Sequence, residues 1–251
     1  MLGLLFIIAI VIIVVKLRKT SKGSKGNNTF DENWRDYENR GNYTPQRTYQ
    51  RTNQRKPKWD SEDARIAGQR GEELIYRELS SKFPNARFIT NLYIPHESDK
   101  GYSEVDIVMI HETGVYCIEC KNYTGSLIGD LSKDKIQQKY EGSKCFTIYN
   151  PIKQNNTHVF NVRRVLGDKY FVHNCVIFAK DIHIPQVRGN SAFFIGCISD
   201  LWMFLEDVSS RKVILTNQDM IRIYNILNEY CNTNEKIRQN HIKYVKKHKF
   251  S

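Results

Sequence analysis

The chain of 251 residues is long enough for one well-packed domain with appendages and too short for two comfortable ones. Its formal charge of +11 does not argue for a basic core, because the excess sits at the ends. Residues 1–58 hold 12 Lys/Arg against 4 Asp/Glu and residues 235–251 hold 6 against 1, which leaves 20 basic and 22 acidic side chains between them and lets the ends contact phosphates, anionic headgroups or only solvent.

Leu2 to Val15 is an apolar run interrupted only by small Gly3 and Ala9. It is shorter than the roughly 20 residues of a spanning helix. Met1, Leu17 and the snorkelling stem of Lys16 bring residues 1–18 near the lower limit. A cleaved signal peptide is the rival reading, weakened because no Lys or Arg precedes the run and no small-x-small site follows it. Lys16, Arg18, Lys19, Lys22 and Lys25 all follow the segment. The positive-inside bias therefore predicts a single-pass anchor in the cell membrane, with the rest of the chain facing the cytoplasm. Residues 19–58 hold almost no Leu, Ile or Val and cannot bury enough apolar surface to offset ordering entropy, so they read as a flexible polar and basic linker. Trp34, Tyr37, Tyr43 and Tyr49 are interleaved there with Arg, a pattern that can also stack on single-stranded nucleic acid.

The globular region is predicted over 59–232, followed by a basic tail over 233–251. A helix opens near Ser61, capped by Ser61 or Asp60, with Ala64, Ala67, Gly71, Leu74, Ile75 and Leu79 at helical spacing and Pro84 at its end. Strands are predicted at Arg87–Ile94, Val105–Ile110, Val115–Lys121 and near Cys145–Tyr149. Asn150-Pro151 reads as an N-cap with Pro at the first helical position, opening a helix to about Leu166. Strands near Val172–Phe178 and Phe193–Ile198 follow, and Thr216-x-x-Asp219 resembles a capping box heading a last helix. This order predicts a three-layer α/β core with a mixed central sheet flanked by helices.

The chemistry concentrates on two adjacent strands. Asp106 leads into an apolar run that reads as a buried strand, and a turn at Glu112-Thr113-Gly114 returns the chain through Val115 to Lys121. On the second strand Glu119 and Lys121 share one face while Ile118 and Cys120 share the other. A carboxylate and an ammonium in an apolar strand are costly to bury unless they pair or bind something. An antiparallel hairpin brings Asp106 near Glu119, and two such carboxylates attract a divalent cation, with oxygen ligands favouring Mg²⁺. A plain buried lysine–carboxylate bridge is the alternative. On the preceding helix Glu72 shares a face with Gly68, Ile75 and Leu79 and points inward, whereas Glu73 points outward. Gly68 and Gly71 each cost helix stability, about 1 kcal/mol relative to Ala, which suits a helix that must approach the sheet or a ligand closely. Cys117 and Cys120 have half the spacing of a zinc site, but side chains three apart on a strand diverge, and no second pair completes it.

Helix Glu, strand Asp, then Glu-x-Lys resembles the order of the PD-(D/E)xK nuclease superfamily. Gly71-Glu72, Glu104-Val105-Asp106, Ile118-Glu119-Cys120-Lys121-Asn122-Tyr123-x-Gly125 and Asn150-Pro151-x-x-Gln154-Asn155 resemble the nuclease-related (NERD) domain within it. The resemblance spans about Gly68 to Leu166. It departs at Val105, where the superfamily has Pro before the Asp, and at Cys120, usually aliphatic; neither change removes a ligand.

What the resemblance implies is a restriction-endonuclease-like core and a metal-dependent phosphodiester hydrolase with nucleic acid, DNA in the first instance, as substrate. Asp106 and Glu119 would hold Mg²⁺ (or Mn²⁺), with Glu72 on a second metal or a metal-bound water. Lys121 would orient or help deprotonate the attacking water, and Gln154 would steady the nucleophile or a phosphate beside a helix N-terminus. His158, one turn on, could face the same way, though a lone His is more often structural. Lys153, Arg163 and Arg164 are candidate backbone contacts. The alternative is a catalytically inactive nucleic-acid-binding or membrane adaptor module on the same fold.

Overall fold

A computed structural model describes residues 61–96, 101–140, 142, 145–167, 169–185, 193–231, 237 and 239–240. The anchor and linker predicted over residues 1–58, and most of the basic tail, lie outside these residues. Among the described residues no helix is long and apolar enough to cross a membrane.

The chain runs α1 (Ser61–Lys82), β1 (Arg87–Pro95), β2 (Tyr102–His111), β3 (Gly114–Lys121), β4 (Ser126–Ile128), β5 (Lys135–Lys139), β6 (Cys145–Tyr149), α2 (Pro151–Leu166), β7 (Val172–Phe178) and β8 (Phe193–Cys197). A 3-10 turn (Ile198–Asp200) then leads into α3 (Leu201–Ser210) and α4 (Asn217–Asn228). A five-stranded sheet has the order β1-β2-β3-β7-β8. Its first three strands are antiparallel neighbours, while β3, β7 and β8 run parallel, so the central sheet is mixed as expected. β4, β5 and β6 form a separate antiparallel sheet. The predicted strand at Cys145–Tyr149 is thus real but belongs to this smaller sheet.

β3 and β7 sit at the centre and are buried along almost their whole length, as strands covered on both faces must be. On one face Tyr116, Ile118, Cys120, Cys175 and Ile177 pack with Ile75 and Leu79 of α1, with Phe83 just after it, and with Leu201, Phe204 and Val208 of α3. Elsewhere Val176 and Phe178 join Ile152 of α2 and Leu127 and Ile136 of the small sheet. Cys120 lies in the first cluster, whereas the Cys117 thiol donates to Asn155 Oδ1 of α2 at 3.4 Å. The two sulfurs diverge, as strand alternation requires, and both remain free thiols.

Two close approaches set the helices. A Cβ added at Gly71 would come within 2.9 Å of Asn122 Cβ, so only glycine lets α1 lie this close to the end of β3. The Asn122 amide fixes the same approach by donating to the Ala67 carbonyl at 2.6 Å. Gly68 has open space where a Cβ would stand, so the close-packing expectation holds at Gly71 and fails at Gly68. On α2, buried Asn155 donates to the Cys117 carbonyl (2.9 Å), the Cys175 carbonyl (2.9 Å) and Asn174 Oδ1 (2.8 Å). One side chain thereby ties α2 to both central strands. Asn155→Ala is expected to lower the unfolding free energy by about 2–3 kcal/mol, because buried polar groups lose their partners; urea denaturation followed by tryptophan fluorescence measures it.

Candidate active site

The site grows from the end of the β2–β3 hairpin. The ladder begins at Ile107↔Ile118 and ends at His111↔Gly114, so continuing it one step sets Asp106 opposite Glu119. No such pair forms. Instead the Asp106 carboxylate accepts the Cys120 backbone N–H at 2.8 Å, satisfying a donor that the parting strands would leave open. The hairpin opens at the residue that carries its first carboxylate.

Glu119 is 3% exposed, a charged group in the core of the sheet. Its Oε1 accepts from Lys121 Nζ and from Gln154 Nε2, the latter at 2.8 Å, and Gln154 Oε1 in turn accepts from Lys121 Nζ at 3.2 Å. The strand carboxylate, the strand ammonium and the helix amide form a closed triangle. Burial opposes ionisation of Glu119, but the Lys121 ammonium and then the His158 ring outweigh it and hold its pKa at about 2. Burial likewise opposes the charge on Lys121, yet Glu119 foremost keeps its pKa above the ordinary lysine range. Asp106 shifts the other way: burial first, then the charges of Glu119 and Glu72, push its carboxyl well above the usual carboxylate range.

Glu72 is half-buried on α1 and Glu73 is exposed, as helical spacing predicts. Burial, then Glu104 and Glu119, raise the Glu72 pKa, so the three carboxylates feel one another. Gln154 is aimed by the cap of its helix. Asn150 accepts the Ile152 N–H at 3.0 Å while its own amide donates to the Leu131 and Lys133 carbonyls at 2.7 and 2.8 Å. The first turn of α2 is thereby anchored to the loop of the small sheet. Gln154, expected to meet nucleophile or phosphate, has its amide engaged with Glu119 and Lys121. Lys153 and Arg163 are half-buried on α2, and Arg164 donates to the Pro95 carbonyl, so part of its guanidinium is used within the fold.

Sequence reasoning placed His158 only as a residue that could face the site, and it missed Ser103. His158 Nδ1 lies 2.6 Å from Ser103 Oγ on β2, and its Nε2 lies 3.3 Å from Glu119 Oε2. That second contact is within ion-pair range without hydrogen-bond geometry, so Glu119 Oε2 and His158 Nε2 are both buried without a hydrogen-bond partner. Ser103 and His158 are 55 residues apart, and nothing local in the sequence joins them. Among the described residues no three His, Cys, Asp or Glu groups already surround a common point at metal-binding distance.

Residues 67–179 match the family model described as "Nuclease-related domain". That span contains Glu72, Asp106, Glu119, Lys121, Gln154 and His158. An uncharacterized protein of Bacillus anthracis is 25% identical over 190 residues, covering 75% of this chain and 85% of its own. Among solved structures, a protein of unknown function designated AF1548 is similar at 12% identity and a TM-score of 0.30, over 71% of this chain and all of that one. So slight a structural likeness carries no argument. The four ordered motifs fall within the span of the family match, and that match to the nuclease-related domain over residues 67–179 suggests a nuclease-like function.

Proposed function

We propose that the chain is a divalent-cation-dependent nuclease with a restriction-endonuclease-like core, hydrolysing phosphodiester bonds in DNA at the cytoplasmic face of a membrane. The observation that carries this reading is Glu119, a buried strand carboxylate with Lys121 and Gln154 on one oxygen and no hydrogen bond on the other, beside Asp106 at the opened hairpin. A buried carboxylate oxygen without a hydrogen bond, next to a second carboxylate that burial holds from ionising, suits a cation. Asp106 and Glu119, with Glu72 behind them, would hold Mg²⁺ or Mn²⁺. When bound, such a cation supplies Lewis acidity at the phosphate and acidifies water.

The chain's own residues do the rest. The Lys121 ammonium stays protonated through neutral pH and supplies a fixed positive charge to the phosphorus-bound oxygens as negative charge accumulates there. The same raised pKa argues for this electrostatic role over proton abstraction. Gln154 holds Lys121 and Glu119 in one orientation. Lys153, Arg163 and Arg164 on α2 are the candidate contacts to the phosphodiester backbone. Water adds at phosphorus, the bond to the leaving oxygen breaks, and a phosphomonoester and an alcohol result.

The near-neutral charge of residues 59–234 favours a second reading, a nucleic-acid-binding or adaptor module without turnover. Cleavage assays separate the two. With Mg²⁺ or Mn²⁺, wild type is expected to cut supercoiled or single-stranded DNA, while Asp106→Ala, Glu119→Ala and Lys121→Ala each lose at least about a hundredfold. Equal cutting by the variants, or none by wild type with either cation, rejects the nuclease.

Residues 1–18 are proposed as the anchor, 19–58 as the tether and 59–232 as the domain. Deleting 1–18 is then expected to move the protein from the membrane pellet to the supernatant on fractionation; unchanged pelleting would count against the anchor.

Stability gives a separate check. A carboxyl whose pKa is raised on folding costs stability once pH exceeds its unfolded value, near 4. Asp106→Asn, which keeps an acceptor for the Cys120 N–H, is expected to melt at higher temperature than wild type at pH 7 in chelator. The gap should close as pH falls to about 4. Added Mn²⁺ should raise the wild-type melting temperature and leave the variant unmoved.

A further inference from the structure

Glu119 Oε2 and His158 Nε2 are neighbouring buried atoms, 3.3 Å apart, each without a hydrogen bond. The other nitrogen of the ring is engaged: Nδ1 lies 2.6 Å from Ser103 Oγ. With Nδ1 engaged, Nε2 is the ring's available nitrogen, beside a carboxylate oxygen that has lone pairs to give. Two buried polar atoms at this separation, neither hydrogen-bonded, are both satisfied when a cation takes the place of a proton between them. For bonds of about 2.1 Å, adjacent donors on an octahedral cation stand about 3 Å apart. The observed 3.3 Å is close to that edge. A histidine that binds metal through one nitrogen is typically held by a hydrogen bond at the other, and Ser103 fills that place.

We propose that His158 is a nitrogen ligand of the cation site, binding through Nε2 beside Glu119 Oε2 with Ser103 fixing the ring, and that it makes the site prefer Mn²⁺ to Mg²⁺. This rests on the cation-dependent reading above and adds the residue and the selectivity. The chemistry of the preference is direct. Mg²⁺ favours oxygen donors and gives up its own waters reluctantly, whereas Mn²⁺, a softer ion at the start of the divalent transition series, accepts an imidazole nitrogen more readily than Mg²⁺ does. The two ligands and the residue that holds the ring come from three elements, Glu119 from β3, His158 from α2 and Ser103 from β2. Asn155, one turn before Val159 and three residues before His158, ties α2 to the sheet and sets the ring over Glu119.

The test is the electron paramagnetic resonance of Mn²⁺ bound to the full-length protein in detergent, with Mg²⁺ as competitor. Wild type is expected to bind Mn²⁺ at least about tenfold more tightly than Mg²⁺ and to show a ¹⁴N coupling in the pulsed spectrum. Labelling the histidines with ¹⁵N should convert that coupling to ¹⁵N, a result that needs no variant to fold. His158→Gln should abolish the coupling and about tenfold of the Mn²⁺ affinity, and leave Mg²⁺ affinity within about threefold. Ser103→Ala should retain the coupling with weaker Mn²⁺ binding. Mn²⁺ bound by wild type without nitrogen coupling, or a coupling that survives in His158→Gln, overturns the inference and leaves the cation-dependent nuclease standing. No binding of Mn²⁺ or Mg²⁺ by wild type overturns both.

Discussion

Glu119 is a carboxylate in a strand that has sheet on both sides and helices above and below, and it is 3% exposed. Removing such a charge from water costs several kcal/mol unless its oxygens find compensation. One oxygen finds it in Lys121, two residues along the same strand face, and in Gln154 from across the layer. The other faces the His158 ring without a hydrogen bond. Strand β3 and helix α2 are therefore arranged around one charge. The same charge keeps Lys121 ionised and, with burial, keeps Asp106 from ionising easily.

Specific polar contacts fix this arrangement on the apolar core. Asn150 fastens the start of α2 to the loop before β5, and Asn155 fastens its second turn to β3 and β7. Asn122 and Gly71 bring α1 against the C-terminal end of β3, which carries Glu72 toward the carboxylates. At the far end of the same strand a different cluster serves the fold alone. Tyr116 stacks on His173 with ring centroids 4.6 Å apart, and the Tyr116 hydroxyl bonds Thr113 at 2.7 Å. Burial and then Arg211 push the His173 pKa down to about 3, so that ring stays neutral and acts as packing.

What could be read from the sequence follows from periodicity. Alternation along β3 separated Glu119 and Lys121 from Cys120, and helical spacing chose Glu72 over Glu73, because both depend only on near neighbours. The capping signals at Asn150 and Thr216 were legible for the same reason, and both caps are present. α3 went unread because Asp200, its N-cap residue, accepts the Cys197 N–H and leaves the helix itself without a side-chain cap. β4 and β5 went unread because three residues of one and a Lys-Ile-Gln-Gln-Lys run of the other carry little apolar signal. Ser103 joins His158 only through the fold, and the open space beside Gly68 is equally a tertiary fact.

The most direct measurement is a crystal structure of the protein soaked with Mn²⁺ and a nucleoside monophosphate, with the cation located by its anomalous scattering. The account predicts a peak bonded to carboxylate oxygens of both Asp106 and Glu119, with the phosphate within reach of Lys121 Nζ. A peak elsewhere, or none while the Glu119–Lys121–Gln154 triangle stays closed, would contradict it.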